Sequence, residues 1–534
     1  MSDFYITTAI EYANGEPHLG HAFEKIGADA IARYRRLRGD TVRLLVGTDD
    51  HGLKVARAAD DAGLTPIAQA DRISRLFRDT WSALGIAYDT FVRTTTPHHA
   101  AGVYALIERI IDRHPSAFYE RAYEGWYCVG CEAFRTDREL DAGRCPVHPS
   151  LAIERVAESN WFFRLSAHQH FLLAFLRDHP DFIQPPARYN EILAFVERGL
   201  EDVSITRASF DWGIPFPLPD ARGRHQAIYV WFDALPSYLT ATGYPGESGE
   251  IRWPAQVHVV GKDITRFHCV LWPAVLHAAG LPLPERVWAH GFVTADGARL
   301  SKTAGVWIDL SAAIARHGAD ALRYFLLREI PFDGDGDFSW DRFDARYTAD
   351  LANTLGNLTS RVTALVTRHA AGRVPARAVA PGIDGVIAAA EAELDARVAQ
   401  AHARYATAFE AFRPHDALTA VWDALYAGNE YLSRVAPWTL ARDPVDRPAF
   451  DRTLAAAVTL LARSAVLLGP VIPEKADELW RALGGPGSVH DQRLADVERL
   501  DPTGWSVTSG TPLFPKAHVI PRSDSDEGPS VLSS

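Results

Sequence analysis

A chain of 534 residues with 47% hydrophobic and 23% charged side chains has room for three or four globular units and resembles neither a disordered nor a fibrous protein. It contains no run of about 18 uncharged apolar residues, so no membrane span is expected. Its start, Met1-Ser2-Asp3-Phe4, lacks the basic and apolar regions of a secretion signal, which makes the cytoplasm the expected location. A net charge of −12 argues against a globally basic nucleic-acid binder, although binding uses local patches.

The first elements read as a βαβ unit. Residues 4–8 are β-prone, and 21–38 repeat apolar positions at helical spacing through Phe23, Ile26, Ala30, Ile31, Tyr34 and Leu37. Gly39 stops that helix, and 41–46 forms a second strand. This order predicts a doubly wound parallel sheet of Rossmann type. Residues 116–225, rich in aromatics, read as an insertion that splits the sheet, with 1–115 before it. The α/β pattern resumes over 226–344, with strands expected at 227–232, 256–261 and 287–293. Residues 345–517 read as an α-helical bundle, and the polar tail 518–534 as disordered. Within the bundle, 351–383 carries Arg361, Arg368, Arg373 and Arg377 and no acidic residue.

Four cysteines are too few for a disulfide framework, and three of them fall close together. The run Cys128-x2-Cys131-x13-Cys145-x2-His148 has the ligand number and knuckle spacing of tetrahedral zinc. Four protein ligands leave no open position, so the expected metal is structural, one per chain.

Two short motifs carry chemistry. Pro17-His18-Leu19-Gly20-His21 lies between the first strand and the first helix, where free N–H groups and the helix dipole suit a triphosphate. The bland alternative for these residues is a helix cap. Arg299-Leu300-Ser301-Lys302-Thr303 follows a turn and sets two cations on a loop. Only six of the 55 basic residues are lysine, so a lysine there is notable.

Together the motifs resemble the HIGH and KMSKS signatures of class I aminoacyl-tRNA synthetases, in order and setting. Arg299, Leu300 and Thr303 depart from the second signature, while Lys302 keeps its lysine. Further segments resemble the methionyl-tRNA synthetases: Ala9-Ile10-Glu11-Tyr12-Ala13-Asn14-Gly15, Gly47-Thr48-Asp49-Asp50-His51-Gly52, Tyr229-Val230-Trp231-Phe232-Asp233-Ala234-Leu235-Pro236-Ser237-Tyr238, and Gly261-Lys262-Asp263-Ile264-Thr265-Arg266-Phe267-His268. The resemblance covers nearly the whole chain.

That resemblance implies a ligase that activates methionine with ATP, accompanied by Mg²⁺, and transfers it to tRNA(Met), initiator tRNA included. It implies that Ala9, Ile10, Tyr12, Trp231, Ala234, Tyr238 and His268 line the methionine pocket and that Asp49 meets the ammonium. Gly20, Lys262, Asp263, Arg299, Ser301 and Lys302 would face ATP, with His18, His21 and Lys302 acting on the phosphates. Asn357, Arg361, Pro437 and Trp438 would read the anticodon, although from the residues alone Trp438 reads as a core tryptophan. The family's zinc knuckle falls where the cysteine cluster lies. Glu11 stands where the family often has an apolar residue or proline. A branched-chain synthetase would need a larger insertion than the 110 residues available. A cysteine enzyme would hold zinc for its substrate rather than in a knuckle. A non-catalytic tRNA-binding paralogue would have lost His18, His21 or Lys302, and a tRNA-independent ligase would not need the apparent anticodon residues. The short stretch after the bundle makes a monomer the expectation.

Overall fold

The structure, a computed structural model, describes residues 2–128, 133–135, 137–146, 151–246, 252–295, 297–299, 308–377 and 385–516. Asp3–Thr8 lies inside a parallel sheet, between Thr41–Asp49 and Val257–Gly261. Thr90–Arg93 pairs with Thr41–Asp49, and Val287–His290 followed by Ile183–Gln184 extend the other side. Phe4 to Thr8 are all buried, as expected of a parallel strand covered on both faces. The winding reverses between Asp3–Thr8 and Val257–Gly261. A crevice therefore opens beyond their carboxyl ends, where doubly wound sheets hold ligands.

The first helix, Leu19–Arg38, begins two residues before the periodicity predicts. Gly39 ends it at φ 98°, a left-handed conformation that suits glycine, with its N–H donating to the Arg35 and Arg36 carbonyls.

Three sequence expectations change. The strand expected at 227–232 is only Ala227–Ile228, paired with Thr206–Arg207 outside the main sheet, and Val230–Ala234 is helical. Continuous apolar runs of this length suit a buried helix as well as a strand. The stretch 287–293 is split: Val287–His290 stays in the main sheet, while Val293–Ala295 joins a small sheet with Ala298–Arg299 and Gly336–Phe338. The stretch 116–225 is interleaved with the main sheet rather than set apart from it. Phe118–Cys128, Ala133–Arg135, Glu154–Phe163 and Val203–Ser204 form their own antiparallel sheet. Between the last two, Ile183–Gln184 returns to the main sheet edge, because Leu172, Leu176, Ile192 and Val196 bury their side chains in the core on that side.

The bundle packs Gly385–Glu410, Pro414–Val435 and Arg447–Leu468 with Asn357–His369 and Pro473–Ala482. It shares one apolar core with the sheet, running from Phe4 and Phe23 through Phe325 to Trp422 and Trp480. Polar ties reinforce the junction. The buried Arg323 guanidinium donates to Asp29 Oδ2 at 2.6 Å, to the Val471 carbonyl at 2.7 Å and to the Leu84 and Pro470 carbonyls. Tyr34 stacks on Phe409 at 4.6 Å and donates to Glu410 at 2.9 Å. Among the described residues no helix is long and apolar enough to cross a membrane.

Candidate active site

His18 is the N-cap of the first helix. Its Nδ1 accepts from the backbone N–H of Gly20 at 3.1 Å and of His21 at 3.4 Å, while His21 Nδ1 accepts from the His18 N–H at 3.2 Å. The two rings stack with centroids 3.6 Å apart. The capping and phosphate readings of this motif are compatible. The cap engages Nδ1 of each ring, so a neutral imidazole carries its proton on Nε2, as a donor. Burial drives the His21 pKa well below its usual value, helped by His18 and Lys25, and keeps that ring neutral. A side chain at Gly20 would put its Cβ 3.0 Å from His18 Cε1, so the glycine leaves room for the cap.

Across the crevice, Val257–Gly261 ends in the turn Lys262–Ile264. Lys262 Nζ donates to both oxygens of Asp335, at 2.8 and 2.6 Å, and lies 4.5 Å from the Phe292 ring. Gly261 makes space for Asp263, whose carboxylate would lie 2.7 Å from a Cβ there.

Four of the residues named for the pocket, Tyr12, Trp231, Tyr238 and His268, form one cluster. Trp231 stacks on Phe267 at 4.0 Å and 3°, and Tyr12 and His268 meet it edge-on at 6.4 and 6.1 Å. Burial pushes the His268 pKa down to about 4, so the ring is neutral. Its Nδ1–H then donates to the Ile264 carbonyl at 3.0 Å, and its Nε2 accepts from the Tyr238 hydroxyl at 2.8 Å. Tyr5 donates to the Tyr238 carbonyl at 2.8 Å, and Lys54 lies over the Tyr12 ring at 4.4 Å. His268 sits in a π-helical turn, Phe267–Leu271, a device that re-aims side chains at functional sites.

Asp49, nearly fully buried, ends the strand Thr41–Asp49, and its carbonyl accepts from Ala13 at 2.9 Å. The next residues lock this loop. Asp50 accepts from Thr48, from Arg93 at 2.7 Å and from Thr95 at 2.6 Å. His51 Nδ1 lies 2.7 Å from Asp233 Oδ2, and His99 Nε2 lies 2.8 Å from Asp233 Oδ1. Burial raises the Asp233 carboxyl pKa, but His51 and His99 outweigh it and hold it at about 2. Asp233 belongs to the helix Val230–Ala234, which also carries Trp231 and Ala234. The Asp49 loop and the aromatic wall are therefore one hydrogen-bonded unit.

Sequence reasoning missed Phe267, Asp335, Asp233 and the Glu24–His290 contact of 2.8 Å. Phe267 and Asp233 stand inside segments that carry the family resemblance, whereas Asp335, Glu24 and His290 face their partners only through the fold.

Thr294 pairs in register with Arg299, and Asp337 braces that hairpin by accepting from Thr294 at 2.8 Å and Gly297 at 2.9 Å. Ser301 and Lys302 lie outside the described residues, as does the Arg299 side chain. Cys128 ends its strand in register with Ala133, and Cys145 follows a turn closed by Asp141 and Arg144; both cysteines are fully buried. Cys131 and His148 lie outside the described residues.

On the bundle, Asn357 begins the helix Asn357–His369 and is exposed. Pro437 is buried at the start of Pro437–Leu440, while Trp438 is 40% exposed. The core reading of Trp438 therefore fails. The Arg361 guanidinium lies 5.2 Å from the Trp438 ring, joining two of the expected anticodon residues. The arginine run is not one patch, because Arg377 turns to Glu391 and Asp395.

A family model described as class I tRNA synthetases (M) matches residues 4–154 and 152–363, and one described as the anticodon binding domain of methionyl tRNA ligase matches 382–524. The methionine–tRNA ligase of Thermosynechococcus vestitus is 38% identical, across 98% of this chain and 99% of that one. The ligase of Mycobacterium bovis is 41% identical, across 98% of each. The Mycobacterium tuberculosis methionyl-tRNA synthetase bound by methionyl-adenylate superposes with a TM-score of 0.89 at 40% identity, across 96% of this chain and 100% of that one. With the switch-point crevice, the paired imidazoles and the aromatic pocket in place, these likenesses leave one assignment: the chain belongs to the methionyl-tRNA synthetase family of class I aminoacyl-tRNA ligases.

Proposed function

We propose that the chain's methionine–tRNA ligase chemistry runs in the switch-point crevice with the following division of labour. Methionine enters the pocket of Ala9, Ile10, Tyr12, Trp231, Ala234, Tyr238 and His268, where flat aromatic faces suit a polarizable thioether. Asp49 pairs with its ammonium. ATP, carrying Mg²⁺ as part of the substrate, lies along Gly20, Lys262, Asp263, Arg299 and Ser301. The methionine carboxylate attacks the α-phosphorus, the bond to the β-phosphate bridge breaks, and pyrophosphate leaves. The Nε2–H groups of His18 and His21 and the Lys302 ammonium stabilise the charge that builds on the phosphoryl oxygens and the leaving group. A terminal ribose hydroxyl of tRNA(Met), initiator tRNA included, then attacks the adenylate carbonyl and AMP departs. No protein nucleophile is needed, because positioning and charge stabilisation suffice.

One observation carries this reading: two stacked imidazoles capping a helix N-terminus, across a crevice from the Trp231–Phe267–His268–Tyr238 cluster. The decisive measurement is ATP–pyrophosphate exchange with each of the twenty amino acids. Methionine should give the highest kcat/KM, and a higher value for any other amino acid overturns the assignment.

The same reading divides the chain into a catalytic sheet (1–115 and 226–344), an inserted segment (116–225) and an anticodon-binding bundle (345–517) in which Asn357, Arg361, Pro437 and Trp438 meet the tRNA. It takes the protein to be a cytoplasmic monomer. Cys128, Cys131, Cys145 and His148 would hold one zinc. The burial of the two described thiols, one at the end of Phe118–Cys128 and one after the Asp141–Arg144 turn, suits that donor set, and the metal would cross-link those segments. Metal analysis after gentle purification should find one zinc per chain; its absence refutes the site. Cys145→Ser should loosen the inserted sheet and lower activity indirectly.

A further inference from the structure

Beneath the methionine pocket lies a group of buried charges that the reaction above does not use. Lys25, on the first helix one turn beyond His21, is fully buried. Its ammonium has three N–H donors, and it meets three acceptors: the Ala9 carbonyl at 2.8 Å, Glu24 Oε1 at 2.7 Å and Glu11 Oε1. Glu24 is also held from the far side of the switch point by His290 Nε2 at 2.8 Å. Glu11, Glu24 and His290 are each at most 6% exposed.

Charges buried to this degree persist only when paired, and removing one partner leaves the others uncompensated. Burial pushes the Glu24 carboxyl pKa up, but Lys25 and His290 together bring it to about 2. Burial dominates at Glu11 and raises it to about 7 against the pull of Lys25. Glu11 Oε2 has no hydrogen-bond partner among the described residues. The Glu24 and Glu11 carboxylates also reinforce the burial that raises the Tyr238 phenol pKa, so the cluster lies close under the pocket.

The placement of these contacts matters more than their number. Asp3–Thr8 ends one residue before Ala9, where the chain leaves the sheet and its carbonyl needs a donor other than a neighbouring strand. Lys25 supplies that donor. Glu11 sits between Ile10 and Tyr12, and its pairing with Lys25 draws the same segment onto the helix. Glu11 and Tyr12 also pair with Thr48 and Asp49 at the sheet edge, and the Lys25 ammonium ties that segment to the helix that carries His18 and His21.

We propose that Lys25 is a positioning residue for methionine. Held by Glu24 and Glu11, it fixes the Ala9 carbonyl and with it the Ile10–Tyr12 wall of the pocket. The inference rests on the pocket assignment above. It names a second use for the first helix, which holds the amino-acid wall at its buried face while its N-terminus faces the nucleotide.

The test is ATP–pyrophosphate exchange with full-length Lys25→Met, Glu11→Gln, the double variant Lys25→Met/Glu11→Leu, and Trp231→Ala, with melting midpoints measured alongside. Lys25→Met should raise the methionine KM about tenfold or more, the cost of a lost charge-assisted hydrogen bond, with the ATP KM within about twofold of wild type. Glu11→Gln keeps an acceptor for Lys25 and should raise the methionine KM less than Lys25→Met does; an equal or larger rise overturns the proposal. The double variant removes the Glu11 carboxylate and leaves Glu24 with His290; it should recover part of the melting midpoint lost in Lys25→Met, yet keep the raised methionine KM, because the Ala9 tether is still missing. Recovery of the methionine KM in the double variant, or equal changes in both KM values, overturns the proposal by making the cluster merely structural. Trp231→Ala separates the two readings. If it raises the methionine KM and Lys25→Met does not, the positioning role falls and the pocket stands. If Trp231→Ala leaves that KM unchanged, the pocket assignment falls and the proposal with it.

Discussion

Trp231 and Trp438 are both assigned to ligand contact, and the fold treats them in opposite ways. Trp231 is half-buried and held by Phe267 on its face, Tyr12 and His268 at its edges, and Asp233 two residues away, itself fixed between two imidazoles. Trp438 follows a left-handed Ala436 at φ 50° on a four-residue helix and is 40% exposed, with only the Arg361 guanidinium over its ring among the described aromatic and cation–π contacts. The contrast suits the two proposed tasks. A small amino acid must be told from others of similar size within a rigid, water-excluding wall. A base of an unpaired loop is taken up by an exposed flat face and a cation that can adjust to it.

Substitutions sharpen or break this contrast. The largest effect is expected outside both regions: Lys302→Ala should slow adenylate formation about 10²–10³-fold with little change in methionine affinity, as for a donor that acts in the transition state. An equal rise in the methionine dissociation constant would make Lys302 a binding residue instead. Next, Trp231→Ala should raise the methionine KM about 30–100-fold in pyrophosphate exchange, in line with the cost of truncating a packed tryptophan. If kcat fell and KM held, the wall would not be preorganised for binding.

Trp438→Ala should leave exchange unchanged and weaken aminoacylation about tenfold, the worth of one stacked base. The bundle and the sheet share a core, so this separation rests on the exposure of Trp438 and not on the independence of the bundle. Equal losses in both assays would erase the contrast between the tryptophans.

The smallest effect is on stability. The Glu11 carboxyl is raised by burial from 4.5 to about 7. Between those values the folded chain holds a proton that the unfolded chain has released. The Glu11 contribution to stability is therefore present below pH 4.5 and is lost as pH rises through 7. Glu11→Gln should remove that slope and shift the melting midpoint relative to wild type by no more than about a few degrees between pH 5 and 8. Parallel midpoints across the range would mean that Glu11 does not titrate there.

Much of the catalytic half was readable because its signals are local. A capping pair at spacing three, a glycine after the last helical turn and an apolar run ending in Gly-Lys-Asp each concern residues within one turn or one strand. His18, Gly20, Gly39 and Lys262 therefore stand where the sequence puts them. The strand expected at 227–232 failed on the same ground: an apolar run reports burial and leaves open whether the backbone bonds within itself or to a neighbour.

The sequence by itself determined the winding of the sheet and the site of the paired imidazoles, because period and spacing act over a few residues; the candidate methionine-pocket residues came from the family resemblance. Only the tertiary structure decided which tryptophan is walled in and which is presented. It alone decided that Ile183–Gln184 returns to the main sheet, that Asp335 holds Lys262 across 73 residues and that Glu11 is turned inward onto Lys25. Each of these depends on what covers a face. A side chain's own sequence neighbourhood does not encode its cover, since burial and charge pairing are set by elements that meet only after the chain has folded.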